Sequence, residues 1–189
     1  MLDKKEKDSS SSTIRQLITE KKIVEPEAGR EQFFLDKRIN SFALAKRILD
    51  ISENKEESLR SFMWVVSISY YSMFFAATAL LAHFGHKIKE EKSIHKFTYH
   101  ALVYYFLINE NKLQKYFLKE YKDMYNNAEE LLQFSEQKVE SLVHNFDWER
   151  EKRRRFTYEM GEVAEVNKAR TSLQRAEEFL TEVRKIIQR

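Results

Sequence analysis

The sequence predicts an all-α fold, an up-and-down bundle of four to five helices. Three glycines and one proline in 189 residues are too few for the turns that hairpins and β-sandwiches need. Apolar residues also recur every three to four positions over several long segments, which is the spacing of an amphipathic helix. A chain of this length can bury the core of one ordinary domain.

Composition excludes several classes of site. The chain contains no cysteine, which excludes disulfides, thiolate metal sites and cysteine nucleophiles. Charged residues make up 33% and aromatic residues 13% of the chain, so a solvated surface should surround a core rich in Phe and Tyr. The net charge of +3 is too small to identify a partner, and the position of the charges therefore matters more.

The first 30 residues are predicted to hold no large element. Residues 1–12 are charges followed by a serine run, which predicts a disordered tail. They contain no apolar signal-peptide core, and this favours a cytoplasmic location. Residues 13–30 are predicted to form a short N-terminal helix, over Thr13–Val24, and a linker, because Pro26 and Gly29 break the chain.

Residues 31–189 are predicted to form the helical domain. Gly85 suits the C-terminal cap of its second helix and Ser93 the N-terminal cap of its third. The core face of the first helix is predicted from four apolar residues, Leu35, Ile39, Phe42 and Leu49, with Ala45 filling the gap between the last two. The predicted helices cover Glu31–Ile51, Glu57–Phe84, a stretch that starts at Ser93, Lys112–Phe134, a short helix at Val139–Phe146, and Val166–Ile187.

The second helix is apolar enough to raise the question of a membrane. The segment Phe62–Phe84 contains no Asp, Glu, Lys or Arg over 23 residues, which is long enough to cross a bilayer. Its serines, tyrosines, threonine and histidine lower its hydrophobicity below that of a typical span. A helix that is apolar nearly all round is also what the centre of a bundle requires, and we favour that interpretation.

The last helix carries the most regular pattern. Its apolar seam is Val166, Ala169, Leu173, Ala176, Leu180, Val183 and Ile187. Steps of three and four over three heptads are compatible with a coiled coil. Packing against the second helix inside one domain is the more common outcome and is the one we predict.

The strongest local pattern for chemistry is the segment Arg150–Tyr158. Five of its first six residues are cationic: Arg150, Lys152, Arg153, Arg154 and Arg155. Guanidinium groups bind phosphate in a planar fork, and the aromatic rings nearby can stack on unpaired bases. The segment therefore indicates a nucleic-acid-binding or nucleotide-binding site, with a solvated basic turn as the alternative.

Other types of site are poorly supported. A second basic region extends from His86 to Lys96 and matters only if the fold brings it beside the first. The five histidines form no HExxH motif, so no metal site is predicted. Three scattered glycines cannot form a phosphate-binding loop, and no GxSxG hydrolase element is present. No cofactor is predicted.

The second helix resembles a known family. Residues Tyr70–Leu81 read YYSMFFAATALL, which is similar to the YYAMFxAAxALL signature of the HEPN superfamily. The preceding helix, the arginine-rich segment and the amphipathic last helix follow in the order of that family, so the resemblance covers about residues 13–188. It implies a HEPN-like four- to five-helix bundle that commonly forms a homodimer.

The resemblance also implies roles for individual residues. Many HEPN proteins are metal-independent RNases with an R-x4-6-H motif before the final helix, and two copies of the motif meet in a dimeric cleft. Carried over to this chain, Arg153 takes the arginine position, Arg154 the asparagine position and Tyr158 the histidine position. A phenol with a pKa near 10 is a poor general base at neutral pH, so the substitution of tyrosine bears directly on catalysis.

Three functional hypotheses follow. The first is a HEPN-like protein of a toxin–antitoxin or defence-type module that binds RNA, and can cleave it, through an arginine-rich cleft of a homodimer. The second is a non-catalytic scaffold that binds a nucleotide, an RNA or a protein. Its partner would be a minimal nucleotidyltransferase, which could modify Tyr158. The third is that the last helix mediates assembly and the arginines are incidental. No membrane partner is expected.

Overall fold

A computed structural model describes residues 3–54, 56, 61–89, 93–110, 112–144 and 162–188, with side chains outside 130–164. The helices of this part of the chain are α1 (Lys4–Thr19), α2 (Arg30–Glu53), α3 (Phe62–His83), α4 (Ile94–Ala101), α5 (Lys115–His144) and α6 (Glu162–Ile187). Helix α4 continues as a π-helix over Leu102–Asn109. Two short strands, β1 (Ile23–Val24) and β2 (Lys87–Ile88), lie in the connections. Strands β1 and β2 pair antiparallel. The prediction of an all-α bundle is confirmed.

Helix α3 lies at the centre of the bundle. It is long and apolar enough to cross a membrane by length and composition, but 78% of its most apolar window is buried inside the protein. Helices α2 and α6 both pack along it, as predicted for the last helix. Its many alanines, including Ala76 and Ala77, are completely buried, because small side chains let neighbouring helices approach closely.

The long helices alternate in direction. His83 at the end of α3 contacts Glu31 at the start of α2, with 3.1 Å between Nδ1 and Oε1, so these two helices are antiparallel. Helices α5 and α6 are antiparallel as well, because Tyr116 bonds to Glu178 and Glu120 pairs with Arg175. The up-and-down arrangement follows from these contacts.

Helix α1 begins much earlier than the sequence predicts. Residues 4–12, which were assigned to a disordered tail, form its first half. The Asp3 side chain caps the helix by accepting a hydrogen bond of 2.8 Å from the Glu6 amide. Ser10 is fully buried, and Ile14 and Leu17 belong to the main core. The serine run is compatible with helix because tertiary contacts hold it in place.

Helix α5 is also longer than predicted. The sequence suggested a break after Phe134 and a short separate helix at Val139–Phe146, but α5 continues without interruption to His144. The intervening residues Ser135–Lys138 are polar but include neither proline nor glycine. Polarity alone does not end a helix, and the prediction of a break was wrong.

The core faces of α2 and α6 agree with the predicted ones only in part: Ala45 and Leu49 of α2 and Ala169, Ala176 and Val183 of α6 are buried as predicted. Ile39 was assigned to the core but is 54% exposed, whereas its neighbour Arg38 is buried. In α6 the fully buried aromatic residue is Phe179, while Leu173 and Leu180 of the predicted seam are only half-buried. Both helices thus turn part of their apolar surface toward the groove between them.

Candidate functional site

The residues predicted to carry the function are Arg150, Lys152, Arg153, Arg154, Arg155 and Tyr158, and they lie outside the described residues. The segment joins the end of α5, at His144, to the start of α6, at Glu162. Ala169, near the start of α6, packs in one cluster with Phe62 and Val65 of α3. Helices α3 and α6 therefore start at the same end of the bundle, and α5 runs toward that end.

The residues that carry the family resemblance form the core. Within Tyr70–Leu81, seven side chains are buried in the main core cluster: Tyr70, Met73, Phe74, Ala76, Ala77, Leu80 and Leu81. Tyr71 and Phe75 are half-buried and pack against that cluster. All four aromatic residues of the motif thus contribute to the packing of the core.

A hydrogen bond ties this aromatic core to α4. The hydroxyl of Tyr70 and Nδ1 of His95 are 2.7 Å apart. The His95 ring also lies 4.2 Å, between centroids, from the ring of Phe74. Burial lowers the pKa of His95, and the more distant Glu129 opposes this only in part. Burial thus favours the neutral ring, and the contact with Tyr70 links α4 to α3.

Next to this core lies a cavity of about 650 Å³ between α1, α4 and α5. We call it the lysine–tyrosine pocket. Its lining includes cations, anions and aromatic rings: Asp3, Lys5, Glu6, Ser9, Lys96, Tyr99, His100, Lys122, Tyr125, Asn126 and Glu129. Its volume lies within the range of about 300–1,000 Å³ that is typical of small-molecule sites.

Glu6 connects the three helices around this pocket. Its Oε1 accepts a hydrogen bond of 2.7 Å from the Tyr99 hydroxyl. The same oxygen forms an ion pair with Nζ of Lys122. Partial burial opposes ionisation of Glu6, but the bonds from Lys122 and Tyr99 outweigh it and lower its pKa. Burial and the carboxylate of Glu6 together raise the pKa of Tyr99. The ionised form of Glu6 is therefore favoured, and its carboxylate links α1 to α4 through Tyr99 and to α5 through Lys122.

His100 lies at the base of the pocket. Its Nδ1 is 2.9 Å from Oγ of Ser10, which also donates to the Glu6 carbonyl. Burial lowers the pKa of His100, and the positive charge of Lys96 lowers it further. With 8% of its surface exposed, the ring is neutral at pH 7 and suited to hydrogen bonding.

Two cations of the pocket have no carboxylate partner. Lys122 is paired with Glu6, but neither Lys5 nor Lys96 makes an ion pair with the rest of the described chain. Both side chains are exposed, while the ring of Tyr125 is half-buried between them and the aromatic core. The pocket can therefore bind an anionic group at the lysines and an aromatic group at Tyr125.

The described side chains do not form a metal site. Among the residues with described side chains, no group of three or more His, Asp or Glu could hold an ion. Of the carboxylates that line the pocket, Glu6 already accepts a hydrogen bond from Tyr99 and pairs with Lys122. The groups that the pocket offers to a ligand are therefore lysine, tyrosine and imidazole side chains together with separate carboxylates.

The sequence did not predict this pocket, because the four residues that α1 and its cap contribute to the lining were assigned to a disordered tail: Asp3, Lys5, Glu6 and Ser9. The pattern Asp3-x-x-Glu6 is a helix-start signature, and it could have placed Lys5 and Glu6 on a helix. The contact between Glu6 and Lys122 joins residues 116 positions apart and has no local signature.

Comparison of the chain with protein-family models, with curated proteins and with solved structures finds no match. The resemblance to HEPN proteins thus depends on the residues quoted above. The function has to be inferred from the chemistry of the pocket and of the arginine-rich segment.

Proposed function

We propose that this helical bundle binds RNA or a nucleotide, with the lysine–tyrosine pocket as one binding site and Arg150–Tyr158 as a second phosphate-binding segment. The observation that carries the proposal is one cavity that holds the half-buried ring of Tyr125 and two lysines, Lys5 and Lys96, without an ion pair to the described residues. Phosphates pair with the lysines, and a base stacks on the tyrosine.

The mixed charges of the pocket favour a nucleotide over a simple anion. Asp3 and Glu129 line the same cavity as the lysines, and an inorganic phosphate would meet their repulsion without any gain from the aromatic ring. A nucleotide offers hydrogen-bond donors on its base and ribose to the carboxylates. Stacking on one aromatic ring is worth about 1–3 kcal/mol per base.

The resemblance to HEPN proteins supplies the wider setting of the proposal. It suggests a toxin–antitoxin or defence-type module, a cytoplasmic homodimer and a minimal nucleotidyltransferase as partner. Cleavage is the further step of this proposal, in which Arg153 holds the phosphate and Tyr158 donates a proton or hydrogen bond. Incubation with RNA and a metal chelator, beside an Arg153→Ala variant, tests that step. The alternative is a non-catalytic scaffold that binds the same ligand without cleaving it.

Charge reversal tests binding at the pocket. In Lys5→Glu/Lys96→Glu, we expect weaker binding of a fluorescent single-stranded RNA. We also expect the slope of log K against log salt to fall by about 1.4, since each phosphate contact to a single strand contributes about 0.7. The matched control is Lys46→Glu/Arg47→Glu on the exposed face of α2, which changes the net charge equally. Equal loss in the two variants would contradict a specific role for the pocket.

The aromatic contribution needs its own pair of variants. Tyr125→Phe keeps the ring and should bind RNA like the native protein, whereas Tyr125→Ala should lose affinity for RNA. Fluorescence quenching by a 5′-mononucleotide reports stacking directly. If Arg153→Ala alone abolishes RNA binding and both Tyr125 variants leave it unchanged, the pocket has no part in it.

A further inference from the structure

The groove between α2 and α6 contains a largely buried arginine that forms no ion pair with a carboxylate of the described residues. Arg38 of α2 is only 9% exposed, and its Nε is fully buried without a hydrogen-bond partner. Burial lowers the pKa of Arg38, and the positive charge of Arg184 on α6 lowers it further. Two like charges thus face each other in a partly dry environment.

This arrangement is unfavourable unless an anion completes it. An arginine side chain stays protonated in proteins, so the buried charge of Arg38 cannot be relieved by loss of a proton. An unpaired buried charge costs several kcal/mol in general. Within the described residues, neither Arg38 nor Arg184 forms a salt bridge.

The groove also has an apolar part. Its cavity of about 270 Å³ is lined by Arg38, Ile39, Phe42, Ala43, Glu177, Leu180, Thr181 and Arg184. Ile39 is 54% exposed and Leu180 half-buried, so both leave apolar surface for a ligand. The single carboxylate of the lining, Glu177, is exposed and lies about two helical turns from Arg184.

We propose that the α2–α6 groove is a binding site for a small organic carboxylate, whose anionic group pairs with Arg38 and Arg184 and whose apolar body lies against Ile39 and Leu180. Two guanidiniums can hold the two oxygens of one carboxylate in a planar fork. The cavity corresponds to the liquid volume of about nine water molecules, which is enough for a short-chain or aromatic acid but not for a folded segment.

The site is separate from the pocket proposed for RNA. The two cavities share no lining residue, and their walls belong to different helices. Loss of RNA binding at Lys5, Lys96 and Tyr125 would therefore leave the proposed carboxylate site in the groove unaffected, and the two proposals can be tested separately.

A titration with matched probes tests the proposal. Octanoate is added to the ¹⁵N-labelled protein, and the Nε–H resonance of Arg38 is followed; the comparison probes are 1-octanol and inorganic phosphate. We expect a saturable shift with octanoate, none with octanol, and at least tenfold weaker binding of phosphate. Absence of a saturable shift with octanoate, or phosphate binding as tight as octanoate, would overturn the proposal.

Variants identify the residues responsible. Arg38→Gln should weaken octanoate binding by roughly tenfold to a hundredfold, since a hydrogen bond to a charged group is lost. Arg184→Gln should weaken it as well, and this exposed residue keeps the test valid if Arg38→Gln fails to fold. The matched control Arg47→Gln removes the same charge from an exposed position of α2. Binding by Arg184→Gln that equals binding by Arg47→Gln contradicts the paired role.

Discussion

The hydroxyl of Tyr70 lies 2.7 Å from Nδ1 of His95, and this one bond joins the central helix to α4 across the aromatic core. Tyr70 also packs edge-on against Tyr121, with ring centroids 5.9 Å apart. The bond places the start of α4, and with it Lys96 and Tyr99, beside α5. The geometry of the lysine–tyrosine pocket therefore depends on a contact outside its own lining.

We expect Tyr70→Phe to lower the free energy of unfolding by about 1–3 kcal/mol, because it leaves Nδ1 of a half-buried histidine without its partner. Urea denaturation measures the change. The control Tyr104→Phe removes a half-buried hydroxyl that makes no hydrogen bond within the described residues, and it should leave the midpoint unchanged. Equal midpoints for the two variants would argue against the Tyr70–His95 bond.

The protein should lose stability as the pH falls below about 6.5, where histidines of an unfolded chain become protonated. Burial lowers the pKa of His86, His95 and His100 in the folded state. The unfolded state therefore binds more protons below this pH, and the free energy of unfolding rises with pH. Denaturation between about pH 7.5 and 5.5 measures the slope.

Replacement of His95 and His100 by asparagine separates this effect from the carboxylates. The variant should show a smaller slope than the native protein over the same range. An unchanged slope would mean that these two rings titrate normally in the folded state.

Deletion of residues 1–12 should destabilise the protein, because it removes the cap at Asp3, the network of Glu6 and the buried Ser10. Loss of a helix cap alone costs about 0.5–2 kcal/mol. Thermal denaturation compares the truncated and full chains. A truncated protein as stable as the full chain would restore the interpretation of these residues as a tail.

Phe179→Ala should lower the free energy of unfolding by about 3–5 kcal/mol, because it creates a cavity at a fully buried side chain against Tyr121. The control Phe33→Ala removes the same ring from a position that is 55% exposed, and its effect should stay within about 0.5 kcal/mol. Guanidinium denaturation of both variants tests the position of the α6 core face.

The sequence was sufficient for the fold class and for the place of α3, because a long uncharged segment in a helical chain has few alternatives to the core. It was insufficient for the face of α2, since a helix that packs on two neighbours buries Arg38 and leaves Ile39 in a groove. A helix face is predicted from the spacing of its apolar residues, and this spacing does not predict that an arginine is buried.

Of the two candidate sites, one was predictable from the sequence and the other was not. The arginine-rich segment is evident from composition, whereas the lysine–tyrosine pocket arises from contacts such as Ser10 with His100, 90 positions apart. Such contacts require the tertiary structure, and the serine run gave no local reason to expect them.

The central position of α3 has a consequence for how this protein can vary. Helix α3 packs against α2, α5 and α6, and only the half-buried stripe Ile68, Tyr71, Phe75 and Thr78 interrupts its buried surface between Val65 and Leu81. A deep mutational scan should therefore find intolerance at most positions of that segment. Helices α2 and α6 should instead show intolerance only at every third or fourth position. Sequence drift in this protein would then accumulate in its outer helices, while the middle of the chain stays nearly fixed.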